Sequence, residues 1–567
     1  MALNLPKTAQ EFLSLTWQQI EPIALELTGR PLSAANLESW LMDWSDLQRL
    51  VEESHQRLYV AITTHTEDES ARQRYNTFVD TIQPQAQSLF NKLKRRLLES
   101  GLKPAGLDVF LRNIGAEEAI FREANLPLLA RELKIVAEYD EIVGRQTVVW
   151  DGEEKTLAQL SPVYMERDRS RREHAWRLAA QRQLADRGAL NDLWGRLLSL
   201  RGEIAANAGM DSFRVYTWQK MLRFDYSPDD CLAFHQAIEE EVVPAATRAY
   251  GLRLQRLSVD RLRPWDLSVD PFGRGPLRPF HQAAELEAKT EVILRQVEPQ
   301  LADYYAAMRR EGLLDLENRK GKAPGGYCTN FDAVRRPFIF MNAVGIHDDV
   351  ITLLHECGHA FHVFETTHLP YYGQLPYGLE FLEVASTSME FLAAPYLTLE
   401  RGGFYTPQEV ARVRVEHLTD TLLFWPYMAV VDAFQHWVYE NPGKAAQPEE
   451  CGPQWAALYR RYLPGVDWSG LDAELEARWQ CQLHIFSSPF YYVEYGLAAL
   501  GAIQVWRNFL QDQAAAVQAY RQALALGGTA SIPDLYQAAG AKFAFDPQTL
   551  RSAVELIEKT VRELEAQ

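Results

Sequence analysis

The chain has 567 residues, 47% hydrophobic and 24% charged, a balance that suits a globular protein with a large core and more than one structural unit. A formal net charge of −18 argues against the basic face that nucleic-acid binding requires, so no nucleic-acid partner is expected. The most apolar stretch, Leu422 to Val431, is too short to span a bilayer and runs into Asp432, so no membrane association is expected either.

From Thr8 to about Leu200 the apolar residues recur at three and four, the spacing of one helix face. Tyr75, Phe78, Val79 and Ile82, then Leu89, Phe90, Leu93 and Leu97, predict one long helix kinked at Pro84 and stopped by Gly101 and Pro104. Between Glu141 and Leu160, Ile142-Val143, Val148-Val149-Trp150 and the Asp151-Gly152 turn signal predict a small β-hairpin. A soft boundary falls near residue 200, dividing an N-terminal helical region (1–200) from a second region (201–567). Arg263 to Pro279 is rich in proline and glycine and must be a loop, and a helix is expected from about His281 to Arg310.

After a break at Lys320 to Gly326, the short apolar run Pro337 to Met341 predicts a strand. Asp348 or Asp349 can cap the next helix, whose core face carries Val350, Leu353, Leu354, Phe361 and Phe364. A loop follows from His368 to Gly378, and a further helix resumes near Leu379. Asp546-Pro547 caps a last helix with Leu550, Val554, Ile557, Val561 and Leu564 on one face. The five cysteines, Cys231, Cys328, Cys357, Cys451 and Cys481, show neither disulfide density nor C-x-x-C spacing, and residues 1–21 show no leader pattern. A cytoplasmic protein with reduced thiols is the expectation.

The chemistry concentrates in His355-Glu356-Cys357-Gly358-His359. Two histidines four apart share a helix face, so both imidazoles can reach one metal ion, while Glu356 points about 100° away around the helix. This is the H-E-x-x-H arrangement of a zinc peptidase. Catalytic zinc usually takes three protein ligands and keeps one position open. His362 lies too close along the same helix to complete a tetrahedral set, as does Glu365. Glu380, Glu383 and Glu390 remain downstream; Glu383 and Glu390 stand two turns apart on one face, so one can bind metal while the other hydrogen-bonds a ligand.

These residues, with Phe381 to Thr387, Arg263 to Leu267, Gly325-Gly326-Tyr327-Cys328 and the tyrosine-rich segment His484 to Tyr495, resemble the thimet oligopeptidase and oligoendopeptidase F family of zinc metallopeptidases. The resemblance is greatest to its bacterial oligoendopeptidase F and Pz-peptidase branch and spans roughly residues 200 to 550. It implies a mostly α, two-lobed helical body with a deep central channel and a small β-sheet near the metal. It implies one Zn²⁺ per chain on His355, His359 and Glu383, Glu356 as general base, and Glu390 behind a ligand. His484, Tyr492 and Tyr495 are implied to face the metal across the channel as donors to an oxyanion, with Tyr491 near the substrate. Gly325, Gly326 and Tyr327 are implied to lie beside the peptide, and Phe338 to Asn342, with Phe340, is the candidate edge strand for it.

The expected function is zinc-dependent hydrolysis of internal bonds in short unfolded peptides by a zinc-activated water, with Glu356 as base. Two rivals stand beside it. A metallocarboxypeptidase would need a cation for the substrate carboxylate, for which Arg335 or Arg336 could serve; a non-catalytic helical peptide-binding protein would need no intact metal motif. The sequence leaves the oligomeric state open.

Overall fold

The computed structural model describes residues 3–566; residues 1, 2 and 567, the outermost positions of the two expected regions, lie outside it. Helices dominate the described chain, with one two-stranded and one three-stranded sheet. The fold is thus mostly α, as the periodicity implied.

Proline and glycine set the breaks. Glu69–Thr81 and Gln83–Ser100 are two helices and not one kinked rod, because Pro84 occupies the first turn of the second, where its missing N–H costs nothing. Gly101 ends that helix in the left-handed region, with φ 65°. The helix α1 (Leu37–Thr64) precedes both and packs Trp40, Trp44 and Leu47 into an N-terminal core with Phe90, Leu93 and Leu97.

Strands β1 (Thr147–Trp150) and β2 (Glu153–Thr156) pair antiparallel around Asp151-Gly152, both at positive φ, so the hairpin forms. It is shorter than expected. Ile142 and Val143 instead finish the helix Leu126–Gly144, where Val143 packs on the neighbouring core. Residue 200 lies inside the helix Arg187–Asn207, whose Leu197, Leu200 and Ile204 share a core with Trp425, Val431 and Ile557. Next along the chain, α2 (Pro228–Ala237) runs straight into a π turn, Ile238–Val242. The helix expected over 281–310 is also two, Ala283–Val297 and Pro299–Glu311, since Pro299 again begins a helix and Glu298 caps it.

The second sheet lies against the site. Its strands β3 (Leu314–Glu317), β4 (Tyr327–Phe331) and β5 (Arg336–Ala343) have the order β3-β5-β4, with β5 parallel to β3 and antiparallel to β4. The expected edge strand Phe338 to Asn342 is therefore the central one. A continuous apolar run with both faces covered is the pattern of an interior strand, and Phe338 to Met341 are all buried. Phe340 has no exposed surface and stacks on Tyr327 at 4.8 Å, so its side chain does not line a substrate surface. The two edge strands are β3 and β4.

From β5 the chain enters α3 (His347–Glu365). Asp349 Oδ2 accepts from the backbone N–H groups of Val344, Gly345 and Ile346, which pins the helix start to the strand end. Then come α4 (Leu379–Ala393), α5 (Pro407–Glu440), opened by a Thr406/Glu409 capping box, and α6 (Tyr492–Gln511). Helices α3 and α4 touch at Gly358, where an added Cβ would lie 2.5 Å from both Ala385 O and Ser386 Cα. Neither obstacle is a flexible side chain. Gly358→Ala should therefore lower the unfolding free energy by about 1–3 kcal/mol in urea titration, and an unchanged midpoint at unchanged slope would refute the close approach.

Candidate active site

The helix spacing read from the sequence has its expected consequence. His355 and His359 sit one turn apart on α3, and their rings meet edge to face with centroids 5.0 Å apart. Glu383, in the second turn of α4, brings Oε2 to 3.3 Å from His355 Nε2 and 3.8 Å from His359 Nε2. Donor atoms of these three residues lie within 4.8 Å of one another, a group that could hold a metal ion. Two atoms each about 2.0–2.1 Å from a tetrahedral ion stand about 3.3–3.4 Å apart, so the His355–Glu383 spacing suits a shared ion. The 3.8 Å separation from His359 is beyond hydrogen-bond range and needs only a small closure.

The surrounding groups orient this set. His355 Nδ1 lies 2.8 Å from Glu390 Oε1, and the other Glu390 oxygen lies 2.8 Å from His417 Nε2 on α5. Ser386 Oγ donates to Glu383 Oε2 at 2.9 Å. Burial opposes charge on His355, but hydrogen bonds that its ring donates to Glu383 and Glu390 outweigh it and lift the imidazole to about 10. Burial likewise opposes the Glu390 charge, yet bonds to His355 and His417 hold its carboxyl down at about 2. Two carboxylates thus converge on one histidine and call for a positive charge at its far nitrogen, Nε2, which is where a divalent cation would bind. His417 was not found from the sequence; a lone histidine inside a long helix carries no local signal. Glu390→Gln should weaken metal-ion affinity about 10–100-fold in chelator competition, and unchanged affinity would remove Glu390 from this role.

Glu356 leaves the cluster on another side of α3. Its carboxyl is buried, which pushes it up to about 7; the His355 charge opposes the rise, and the backbone N–H of Cys328 on β4 also favours the ionised form. Gly326 is close by, since a Cβ added there would meet Thr352 Cγ2 at 3.4 Å, one turn before Glu356. Gly325, at φ 96°, takes the adjoining bend, a conformation that favours glycine. Tyr327 faces the other way, its phenol 2.6 Å from Thr63 Oγ1 at the end of α1.

The remaining candidates are sorted by packing. Glu380 turns from the histidines, accepting from Tyr226 Oη at 2.7 Å, while Glu365 pairs with Arg521. His362 stacks on Tyr377 at 3.6 Å and joins no donor group. Cys328 and Cys357 are also outside the cluster. In the tyrosine segment, Tyr491 and Tyr495 adjoin each other, rings 5.2 Å apart, and burial together with the Glu383 charge raises both phenols. Tyr492 instead packs on Phe424 and Tyr427, and its phenol is raised to about 12 by burial and by Tyr495. His484 lies beside Tyr492 at 5.0 Å and contacts Gln482 through Nδ1. The Glu383 charge thus acts on the phenols of Tyr491 and Tyr495, where spacing within the segment had favoured Tyr492 and Tyr495. The α-helix begins at Tyr492, with Tyr491 at its N-cap position.

Residues 163–555 match Peptidase family M3, and residues 12–106 match the Peptidase M3 N-terminal domain. The chain is 25% identical over 331 residues to Oligopeptidase PepF of Bacillus subtilis, covering 57% of this chain and 47% of that protein. It spans about half the length of the curated relatives it matches. Among solved structures, it is similar to Pz peptidase A with an inhibitor, at 29% identity and TM-score 0.83, covering 99% of this chain and 98% of the other. It is also similar to an oligoendopeptidase F structure, at 30% identity and TM-score 0.83, with the same coverage.

Proposed function

Since the chain belongs to peptidase family M3, we propose that it is a zinc-dependent oligoendopeptidase that cuts internal bonds of short unfolded peptides. The observation that carries this reading is the convergence of His355, His359 and Glu383 on one point, with Glu356 beside it and outside the ligand set. His355, His359 and Glu383 would hold the ion. When bound, zinc would supply Lewis-acid polarisation and make a water molecule a stronger acid.

The chain's own groups do the rest. The Glu356 carboxylate takes a proton from the attacking water as the new C–O bond forms, and returns it to the peptide nitrogen as the C–N bond breaks. Tyr491 or Tyr495 donates a phenolic hydrogen bond to the oxygen that gains charge, worth about 10²–10³-fold in rate for such a donor. Glu390 and His417 keep the His355 ring in place. Gly325, Gly326 and β4, the edge strand that carries Tyr327 and Cys328, offer backbone to an extended peptide. A channel around the site would restrict substrates to short, unfolded chains, and a cytoplasmic location is part of the same reading.

The carboxypeptidase rival needs an uncommitted cation, and both candidates are engaged. Arg336 pairs with Glu311 at 2.8 Å, and Arg335 donates to the carbonyls of Thr367 and Leu369. A peptide blocked at both ends separates the readings. Mass spectrometry should find internal cleavage that stops on zinc removal and returns with added zinc. No internal cleavage with zinc bound would refute the endopeptidase reading.

A further inference from the structure

Cys231 and His235 lie one turn apart on α2, and Asp432 and His436 lie one turn apart on α5, so each helix turns two metal-binding side chains toward the other. All four are buried: Cys231 and Asp432 at 0% exposure, His436 at 1% and His235 at 3%. Donor atoms of Cys231, Asp432 and His436 lie within 4.8 Å of one another. His436 Nε2 is 3.4 Å from Asp432 Oδ2 yet makes no hydrogen bond, and Asp432 Oδ1 has no hydrogen-bond partner either. His235 Nε2 meets Asp432 Oδ2 at 2.8 Å. None of these residues belongs to the His355–Glu383 cluster.

We propose that this is a second metal site, in which the Cys231 thiolate, the Asp432 carboxylate and His436 Nε2 bind a divalent transition ion of the zinc class, fastening α2 to α5. The alternative is a metal-free pair of Asp432 with a protonated histidine. That pair neutralises the carboxylate but leaves Asp432 Oδ1, His436 Nε2 and a fully buried thiol without roles. Buried polar atoms without partners cost about 1–3 kcal/mol each, and one ion satisfies all three ligands. Mixed sulfur, nitrogen and oxygen donors suit zinc and cobalt.

The 2.8 Å separation is too short for two ligands of one tetrahedral ion, so His235 is the hydrogen-bond donor that orients Asp432. Burial, with the Asp432 charge adding to it, raises the Cys231 thiol, so the ion must displace its proton on binding. Ligation through Nε2 puts a proton on His436 Nδ1, which now lies 3.3 Å from Arg214 Nη1. A guanidinium can only donate, so this tautomer requires Arg214 to give up the Nδ1 contact and keep its pair with Glu440.

Cobalt distinguishes the two sites, because only this one has a sulfur ligand. Full-length protein produced in cobalt-supplemented medium should carry about two equivalents of metal per chain and show a sulfur-to-cobalt charge-transfer band. His359→Ala should lose one equivalent and keep the band. Cys231→Ala should lose the band and one equivalent while retaining peptidase activity. Wild-type protein with filled catalytic sites but no charge-transfer band would overturn the proposal, whatever the folding of the variants. Failure of the catalytic reading would appear differently, as metal content unchanged by His359→Ala.

Discussion

Glu356→Gln should lower kcat/KM on an internally cleaved peptide by about 10²–10⁴-fold, or about 3–5.5 kcal/mol of transition-state stabilisation. The replacement keeps the shape and a hydrogen-bond acceptor for the Cys328 N–H, but an amide cannot take the proton of an attacking water. Neither His355 nor His359 can substitute, since both ring nitrogens of His355 already face Glu383 and Glu390, and burial holds His359 near 4. Zinc content should remain that of the wild type, because Glu356 is outside the ligand group. Single-turnover rates alongside metal analysis separate the two effects. Retained activity with full zinc would remove Glu356 from the mechanism.

Glu383→Ala should have the second large effect: loss of one zinc equivalent on dialysis, and with it activity. The expected drop in affinity exceeds the about 10–100-fold typical of an outer partner such as Glu390, because a direct ligand is removed. The two other glutamates of α4 are engaged elsewhere. Glu380 is held by Tyr226 with Arg223 3.8 Å away, and Glu390 is held between His355 and His417. A variant that kept both its zinc and its activity would show that another group completes the site. Glu383→Gln, which preserves volume and the Ser386 contact, guards against a loss caused only by misfolding.

How much of this was legible in the sequence follows from which interactions are local. Helix spacing is local, so the shared face of His355 and His359, and of Glu383 and Glu390, could be read from four- and seven-residue intervals. The choice of Glu383 over Glu380 could not be read from spacing, because residues three apart lie close to the same face of α4. Packing against Tyr226 and Arg223 turns one of them aside. The same limit explains β5. Its apolar run identified a strand, but only the pairing with β3 and β4 showed that it lies inside the sheet.

The sequence by itself determined the helical class, the breaks at Pro84 and Gly101 in position if not in kind, the hairpin turn at Asp151-Gly152, and the metal motif with its following helix. Each depends on backbone conformation or on neighbours within two helical turns. Tertiary structure alone brought His417 to Glu390, set the Glu383 charge to act on Tyr491 and Tyr495, and joined His235 to Asp432 across 197 positions. Those meetings depend on the angles at which helices pack and on which polar groups lose water together. Periodicity along one helix contains neither.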